Sequence, residues 1–294
     1  MRVGHYLSPE ARERYRRAYD DVVAGLPSPQ VGDVPTPYGD VRVLTCAGPA
    51  GRVPLVLLPG AGAPGASWSA LVPALTAERT VHLLDPLGGP GGSRQVVPLA
   101  TMADQAHWLR AVVDALGAPA ARSGGVHLGG ASMGGRIVFE LVRRDPSGIT
   151  SLALADPANT FARMPAKLVA LSVGAQPWAP RWLRERFLHS VGGGADVDAE
   201  PVGRLLTAGL DCFATAQPFP SLPSEDEVRG VGVPTLVLLG GRSVLLDAGR
   251  ARARAALLPR GTVEVWPDAG HALADEFPER TAAAFLAHAA RAEA

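Results

Sequence analysis

Ser132 has the residue type and the local setting of a nucleophile. It lies in Gly130-Ala131-Ser132-Met133-Gly134-Gly135, between an apolar run at Val126–Leu128 and a helical pattern at Arg136–Arg144. A Gly-x-Ser-x-Gly segment at a strand-to-helix turn forms a sharp bend, because its small residues let the backbone turn and expose the serine hydroxyl. The motif therefore predicts a nucleophilic serine at the end of a strand.

A serine hydroxyl needs a general base, and His271 is the best-placed histidine. It lies in Asp268-Ala269-Gly270-His271, after a predicted strand at Thr262–Trp266 and before the last predicted helix. In enzymes with such a serine turn, the histidine follows late in the chain. The remaining histidines lie in predicted strands, on predicted helices or near a terminus: His5, His82, His107, His127, His189 and His288.

A glycine-rich loop supports a competing prediction. The loop Gly60–Gly65 satisfies Gly-x-Gly-x-x-Gly after a predicted strand, and Asp85 follows 20 residues later at the end of the next one. This is the spacing of a dinucleotide-binding fingerprint, in which glycines let the backbone approach a pyrophosphate and the acidic residue binds a ribose. Taken alone it predicts an NAD(P)-dependent oxidoreductase, although Pro64 removes one amide from the loop.

The elements that hold these side chains alternate between strands and helices. Several strands are continuously apolar, as strands buried on both faces of a parallel sheet are. The alternation predicts an α/β fold with a mostly parallel sheet flanked by helices. The predicted strands are Val41–Thr45, Leu55–Leu58, Val81–Leu84, Val126–Leu128, Ile149–Ala155, Thr235–Leu239 and Thr262–Trp266.

Two segments interrupt the alternation. Residues 1–35 are predicted as an N-terminal helical extension, because Ser8 followed by proline is typical of a helix start and an amphipathic pattern follows it. Residues 159–224 contain helical pieces but no clear strand, and they are too many for an ordinary connection. We predict a helical cap over the carboxyl edge of the sheet, inserted into a core of residues 36–158 and 225–294.

Composition limits the partners of the chain. Its 294 residues include 28 Lys+Arg and 28 Asp+Glu, so the formal net charge is zero, and 47% are hydrophobic. Balanced charge argues against nucleic acid or an anionic membrane as a partner, and the apolar runs are shorter than the ~20 residues of a membrane helix. Cys46 and Cys212 form neither a disulfide framework nor a metal-ligand pattern. Because no signal-peptide run begins the sequence, we expect a cytoplasmic protein, and the N-terminal helix leaves a homodimer open.

The motifs around Ser132 and His271 make the chain resemble the α/β-hydrolase superfamily, from about Val53 to the C-terminus. In that family the loop after the third strand supplies an oxyanion donor, and Leu58-Pro59-Gly60-Ala61-Gly62 occupies its place. The resemblance implies that the backbone amides of Ala61 and Met133 face the developing oxyanion. The family usually has His-Gly in this loop, and Pro59 departs from that pattern. The resemblance thus gives the glycine-rich loop a role that needs no dinucleotide.

The resemblance leaves the acid of the catalytic triad open. The family most often carries it after the strand corresponding to Thr235–Leu239, where this chain has the uncharged Ser243. Some members carry the acid on the strand that follows the serine's strand, and Asp156 ends that strand here, so Asp156 is preferred. Asp247 is the second candidate, although its place before a predicted helix is typical of an N-cap. A triad without any acid is the third possibility.

Together these residues predict a serine hydrolase that cleaves a carboxylic ester, lactone or thioester through an acyl-enzyme, without metal or cofactor. The resemblance is greatest to bacterial carboxylesterases. Aromatic residues of the predicted cap indicate a mainly apolar small-molecule substrate or the cap's own core, with Trp178, Trp182 and Phe213 as candidate substrate contacts. Three alternatives remain: the same fold with C–C bond hydrolase, perhydrolase, lyase or biosynthetic chemistry; the NAD(P)-dependent oxidoreductase; and a catalytically dead ligand-binding protein.

Overall fold

The computed structural model describes residues 3–120, 125–171, 179–191 and 200–294. All seven predicted strands are present among them, and their ends differ by at most three residues from the predicted ones. The strands are β1 (His5–Tyr6), β2 (Gln30–Thr36), β3 (Gly39–Cys46), β4 (Leu55–Leu58), β5 (Val81–Leu84), β6 (Arg94–Gln95), β7 (Val126–Ala131), β8 (Ile149–Ala155), β9 (Phe213–Ala214), β10 (Thr235–Gly240) and β11 (Gly261–Trp266).

Helices lie between most of these strands. A short 3₁₀ helix at Gly65–Trp68 follows β4. The α-helices are α1 (Pro9–Ala24), α2 (Val72–Thr76), α3 (Met102–Ala120), α4 (Ser132–Arg144), α5 (Ala166–Leu171), α6 (Arg181–Val191), α7 (Pro201–Cys212), α8 (Glu225–Arg229), α9 (Ala248–Ala255), α10 (Leu273–Glu276) and α11 (Pro278–Glu293).

The main sheet has the order β11-β10-β8-β7-β4-β5-β3-β2, and β6 adds to β3. The strands from β11 to β5 run parallel to one another, whereas β3 pairs antiparallel with β5, β2 and β6. Because parallel strands end at the same edge, the loops that follow β4, β7, β8, β10 and β11 meet there. The predicted α/β fold with a mostly parallel sheet is confirmed.

Each face of the sheet is covered by helices. On one face, Trp108 of α3 and Ile137 of α4 pack in a buried cluster with Leu128 and Leu154 of the strands. On the other face, Phe285 of α11 joins Leu57 and other strand residues in a second cluster. The burial of both sheet faces explains why the central strands are continuously apolar.

Strand β2 was missed by the sequence-based prediction, and the predicted boundary at residue 35 cuts through it. Its residues are mostly exposed, and it includes Gly32 and Pro35, so it has no alternating apolar pattern. The strand is stabilised by antiparallel pairing with β3 over its whole length, as an edge strand of the sheet. The segment 1–35 is therefore not a purely helical extension, because its last six residues belong to the sheet.

The N-terminal helix packs on this same chain. Ser8 is the N-cap of α1 and accepts a hydrogen bond from the Ala11 amide at 3.1 Å, as its residue type predicts. The helix buries Tyr15, Tyr19 and Val22 and packs mainly against α7. Just before it, β1 pairs antiparallel with β9, so the N-terminal segment and the segment after α7 hold each other.

Helices α5, α6 and α7 lie between β8 and β10 in the chain, where the cap was predicted. The start and the end of this region are joined, because the Asn159 side chain donates a hydrogen bond to the Pro220 carbonyl at 2.7 Å. Among the helices that the structure describes, none is both long and apolar enough to cross a membrane.

Candidate active site

Ser132 lies at the bend between β7 and α4. Its φ of +50° is in the left-handed region, a strained conformation that costs a non-glycine residue roughly 1–3 kcal/mol. The bend needs a close approach of backbones, because a Cβ on Gly134 would overlap the carbonyl oxygens of Leu58 and Pro59. The glycine therefore lets α4 start directly against the end of β4, and the half-buried serine lies at the edge of the sheet.

His271 joins Ser132 to a carboxylate. Its Nε2 lies 3.0 Å from Ser132 Oγ, and its Nδ1 lies 2.6 Å from Asp156 Oδ2. Because an ionised carboxylate only accepts hydrogen bonds, Nδ1 carries the proton and Nε2 is free to accept the serine proton. The loop of His271 is held by the Gly270 amide, which donates to Glu276 at 2.8 Å. The arrangement suits transfer of a proton from the serine to the imidazole.

Asp156 is fully buried and accepts three hydrogen bonds. Oδ1 accepts from the Gly240 amide at 3.0 Å, and Oδ2 accepts from the Ser243 hydroxyl at 2.6 Å as well as from His271. The Ser243 hydroxyl oxygen accepts from the Leu245 amide, so its proton points away to the carboxylate. These donors stabilise the ionised form, which orients the imidazole and stabilises its positive charge.

Ser243 is a site residue whose part the sequence alone did not reveal. Its position attracted attention only because it lacks the charge that the resemblance implies there. In the structure the loop after β10 still contacts the acid, but it contributes a hydroxyl donor instead of a carboxylate. The sequence feature that could have indicated this part is the combination of a serine at the position where the resemblance implies an acid and an aspartate at the end of the neighbouring strand.

Asp247, the second candidate acid, lies elsewhere. It is the N-cap of α9, it is exposed, and its Oδ1 accepts a hydrogen bond from the Arg250 amide at 2.8 Å. The Nδ1 atom of His271 is already occupied by Asp156. The structure therefore brings together Ser132, His271 and Asp156 and leaves Asp247 as a helix cap.

The loop after β4 lies beside the serine. A Cβ on Gly60 would be 3.2 Å from the Ser132 Cβ, so the start of the loop packs directly on the nucleophile. The Ala63 amide donates to the Gly60 carbonyl at 3.3 Å and Gly62 has φ of +75°, which together define a tight turn with Ala61 at its second position. The Ala61 amide has no part in the hydrogen bond of that turn. The Met133 amide is in the first turn of α4, where amides have no acceptor within the helix.

The glycine-rich loop does not form a dinucleotide site. Its last glycine, Gly65, begins a four-residue 3₁₀ helix instead of a regular helix whose N-terminus could face a pyrophosphate. Burial raises the pKa of the Asp85 carboxyl, whose oxygens accept from the amides of Gly65 and Gly92 and from the Tyr19 hydroxyl. Since these oxygens are buried and bonded inside the protein, Asp85 cannot receive a ribose. The oxidoreductase prediction is therefore wrong for Gly60–Gly65 and Asp85.

The predicted substrate contacts have different outcomes. Trp178 lies outside the described residues, and Trp182 is 63% exposed on α6. Phe213 is buried in β9 and packs edge-on against Tyr6, with 4.9 Å between ring centroids. Phe213 therefore stabilises the contact between β1 and β9, which corrects its prediction as a substrate contact.

An apolar cluster that the sequence did not single out is connected to the serine through the backbone. The Ala158 amide donates to the Ser132 carbonyl at 3.0 Å, and Leu245 follows the Ser243 turn. The side chains of Ala158 and Leu245 form a buried cluster with Leu168 of α5. Leucine and alanine in loops carry no sequence signal of their own, so only the fold reveals this apolar wall. Among the described residues, no group of three His, Cys, Asp or Glu side chains is placed to hold a metal ion.

Comparison with known proteins gives consistent matches. A family model described as "Alpha/beta hydrolase family" matches residues 55–284. The chain is 26% identical over 287 residues to carboxylesterase YbfK of Bacillus subtilis (strain 168), covering 93% of each protein. It is 28% identical over 253 residues to the "uncharacterized carboxylesterase nap" of the same organism, covering 83% of this chain and 81% of that one. The crystal structure of naproxen esterase from Bacillus subtilis has a TM-score of 0.85 and 27% identity, covering 96% of this chain and 98% of that one. These matches confirm the predicted resemblance.

Proposed function

The chain belongs to the alpha/beta hydrolase family, and we propose that it cleaves carboxylic esters with Ser132, His271 and Asp156 as its catalytic triad. The observation that carries the proposal is the continuous hydrogen-bonded line from Ser132 Oγ through the His271 ring to the buried Asp156 carboxylate. The similarity to two carboxylesterases, each over more than four fifths of this chain, supports an ester as the substrate.

In the first half of the reaction Ser132 Oγ attacks the ester carbonyl carbon and His271 Nε2 takes the hydroxyl proton. The carbonyl oxygen becomes an oxyanion, which the Ala61 and Met133 amides stabilise by roughly 3–4 kcal/mol each. The bond from the carbonyl carbon to the alcohol oxygen then breaks, and His271 donates its proton to the departing alkoxide. The acyl group stays on Ser132.

In the second half a water molecule replaces the alcohol. His271 takes a proton from the water, and the resulting hydroxide adds to the carbonyl carbon of the acyl-enzyme. The bond to Ser132 Oγ breaks, the serine recovers its proton from His271, and a carboxylic acid leaves. Asp156 keeps the proton of His271 on Nδ1 throughout, so that Nε2 can accept and return the moving proton.

The substrate we propose is a small, mainly apolar ester, and lactones or thioesters would react by the same steps. The support is the apolar wall formed by Ala158, Leu168 and Leu245, which adjoins the site through the Ala158 amide that donates to the Ser132 carbonyl. Leu245 also lies next to the turn that contacts Asp156. Such an apolar surface suits a substrate that excludes water when it binds.

The test is the intact mass of the protein after reaction with a fluorophosphonate, together with hydrolysis of p-nitrophenyl butyrate. Wild type should gain one adduct, Ser132→Ala should gain none, and the exposed turn variant Ser147→Ala should react like wild type. Ester hydrolysis should be lost with the adduct, because a serine hydrolase loses its covalent step when its nucleophile is removed. An adduct that persists in Ser132→Ala, or a folded wild type without adduct and without hydrolysis, would refute the proposal.

A further inference from the structure

The N-terminal segment, residues 3–24, is attached to the catalytic core at separate points. The Gly4 amide donates to Gln95 at 2.7 Å, and the Tyr6 hydroxyl donates to the Gly91 carbonyl at 2.9 Å. A cavity of about 960 Å³ lies between this segment and residues 91–95. Further along α1, the Tyr19 hydroxyl donates to Asp85 at 2.9 Å. Besides the apolar packing of α1, these hydrogen bonds therefore connect the N-terminal segment to specific residues of the core.

Asp85 is a buried carboxylate that depends on hydrogen bonds. It is fully buried, Oδ1 accepts from the Gly65 amide at 2.7 Å, and Oδ2 accepts from the Gly92 amide at 2.6 Å and from Tyr19. In the part of the chain that the structure describes, these donors and not a direct ion pair balance its charge. A buried charge of this kind needs each donor, because an unfilled acceptor position keeps the full cost of removal from water.

The Gly65 amide belongs to the loop that contacts the nucleophile. The loop starts at Gly60, which packs on Ser132, and ends at Gly65, which Asp85 holds. Between them lies the turn that contains Ala61. A chain of contacts thus leads from α1 through Tyr19 and Asp85 to the loop beside the serine.

We propose that Tyr19 and Asp85 are positioning residues for the oxyanion-binding amide of Ala61, so that the N-terminal helix takes part in setting the catalytic rate. The inference rests on the proposed function, which gives the Ala61 amide its task. The Tyr19 hydroxyl fixes the Asp85 carboxylate, the carboxylate fixes the Gly65 amide, and the loop is then held at both ends. An amide that must meet a developing oxyanion loses its effect when it is displaced by about 1 Å.

The test compares two tyrosines on the same helix. Tyr19→Phe removes only the hydroxyl that bonds Asp85, whereas Tyr15→Phe removes a buried hydroxyl without a hydrogen-bond partner among the described residues. The two rings are neighbours, with 6.1 Å between their centroids. Tyr15→Phe is therefore a matched control for the loss of a buried hydroxyl one helical turn away.

Tyr19→Phe should lower kcat for p-nitrophenyl butyrate by roughly 10- to 100-fold while KM stays within about twofold, because the oxyanion forms only in the reaction. The inhibition constant of a trifluoromethyl ketone, whose adduct with Ser132 carries an oxyanion, should rise by the same factor. Tyr15→Phe should leave kcat, KM and this inhibition constant within about twofold of wild type. All assays are run well below the Tm of each variant, so that folded protein is compared.

Asp85→Asn is the second variant, and it should show the same loss in kcat with the same rise in the inhibition constant. The inference is overturned if wild type hydrolyses the ester and Tyr19→Phe behaves like Tyr15→Phe, or if Tyr19→Phe or Asp85→Asn raises KM alone. In those cases the proposed function still stands, because Ser132 and His271 would be active. A wild type without hydrolysis and without a fluorophosphonate adduct would overturn both.

Discussion

Replacing Asp156 by asparagine tests the assignment of the acid most directly. The change keeps the shape of the side chain and turns one carboxylate oxygen into an NH₂ group. If that group replaces Oδ1, it faces the Gly240 amide, and two donors oppose each other in a buried place. If it replaces Oδ2, it faces Ser243 and His271, and both can adapt: the hydroxyl rotates, and the imidazole moves its proton to Nε2. The second orientation is therefore favoured, and it gives His271 the tautomer that cannot accept the serine proton.

The size of the effect follows from two losses. An opposed pair of buried donors costs about 1–3 kcal/mol, and this free-energy difference favours the orientation that gives His271 the unreactive tautomer. Removing the charge beside a buried imidazolium costs a further 3–5 kcal/mol or so, by analogy with breaking a buried ion pair. Together these losses correspond to a kcat roughly 10³- to 10⁶-fold lower, and the known effect of this change in serine triads, about 10⁴-fold, lies within that range.

The assay is kcat for p-nitrophenyl butyrate and the rate of the fluorophosphonate reaction for Asp156→Asn, with Asp247→Asn as the matched control. Asparagine is as good an N-cap as aspartate, so Asp247→Asn should stay within about twofold of wild type in kcat and should keep its Tm. The reasoning would be refuted by an Asp156→Asn variant with wild-type kcat, or by an equal loss in both variants.

Two further predictions concern stability. Burial opposes the ionisation of Glu140, but hydrogen bonds and charge from Arg143, Arg136 and Arg144 outweigh it and lower its pKa from 4.5 to about 2. Because the pKa is lowered in the folded state, the ionised Glu140 carboxylate contributes its full stabilisation above pH 4.5 and loses it as the pH falls towards 2. Between pH 4.5 and 2, the free energy of unfolding measured with urea should therefore fall by about 3 kcal/mol more in wild type than in Glu140→Gln. An equal fall in both proteins would contradict the assignment. Gly134→Ala, whose Cβ would overlap the Leu58 and Pro59 carbonyls, should lower the free energy of unfolding by about 1–3 kcal/mol. Gly117→Ala, with open space around its Cβ within α3, should raise that free energy by about 0.5–1 kcal/mol, and a loss there as large as at Gly134 would sink this explanation.

Much of the fold follows from local patterns in the sequence. Continuous apolar runs such as Leu55–Leu58 and Ile149–Ala155 predict buried parallel strands, and both are present with the predicted bounds. Strand β2 lacks such a pattern, because it lies at the edge of the sheet with most of its residues exposed. Its conformation depends on pairing with β3, which a reading of the local sequence does not reveal.

The glycine-rich loop shows where a motif is ambiguous. Gly60–Gly65 and Asp85 have the spacing of a dinucleotide fingerprint, and the same spacing serves a different purpose here. What differs is the set of partners, since Asp85 bonds Gly65 and Tyr19 and so has no free oxygen for a ribose. Tyr19 is 66 residues away in sequence, so the spacing of the motif could not have predicted this contact.

By itself, the sequence determined that the chain is an α/β protein with a serine at a strand-to-helix turn and a late loop histidine, because turns and strand burial depend on neighbouring residues. Only the tertiary structure decided which carboxylate faces His271. The family resemblance favoured Asp156, which ends a predicted strand, over Asp247, which precedes a predicted helix, but neither position shows by itself which carboxylate contacts the histidine. The sheet order places β8 between β7 and β10, so that Asp156 is buried beside the histidine and Ser243, while Asp247 caps a helix in solvent. The choice depends on contacts between residues 115 apart in the chain, and such contacts exist only once the sheet has formed.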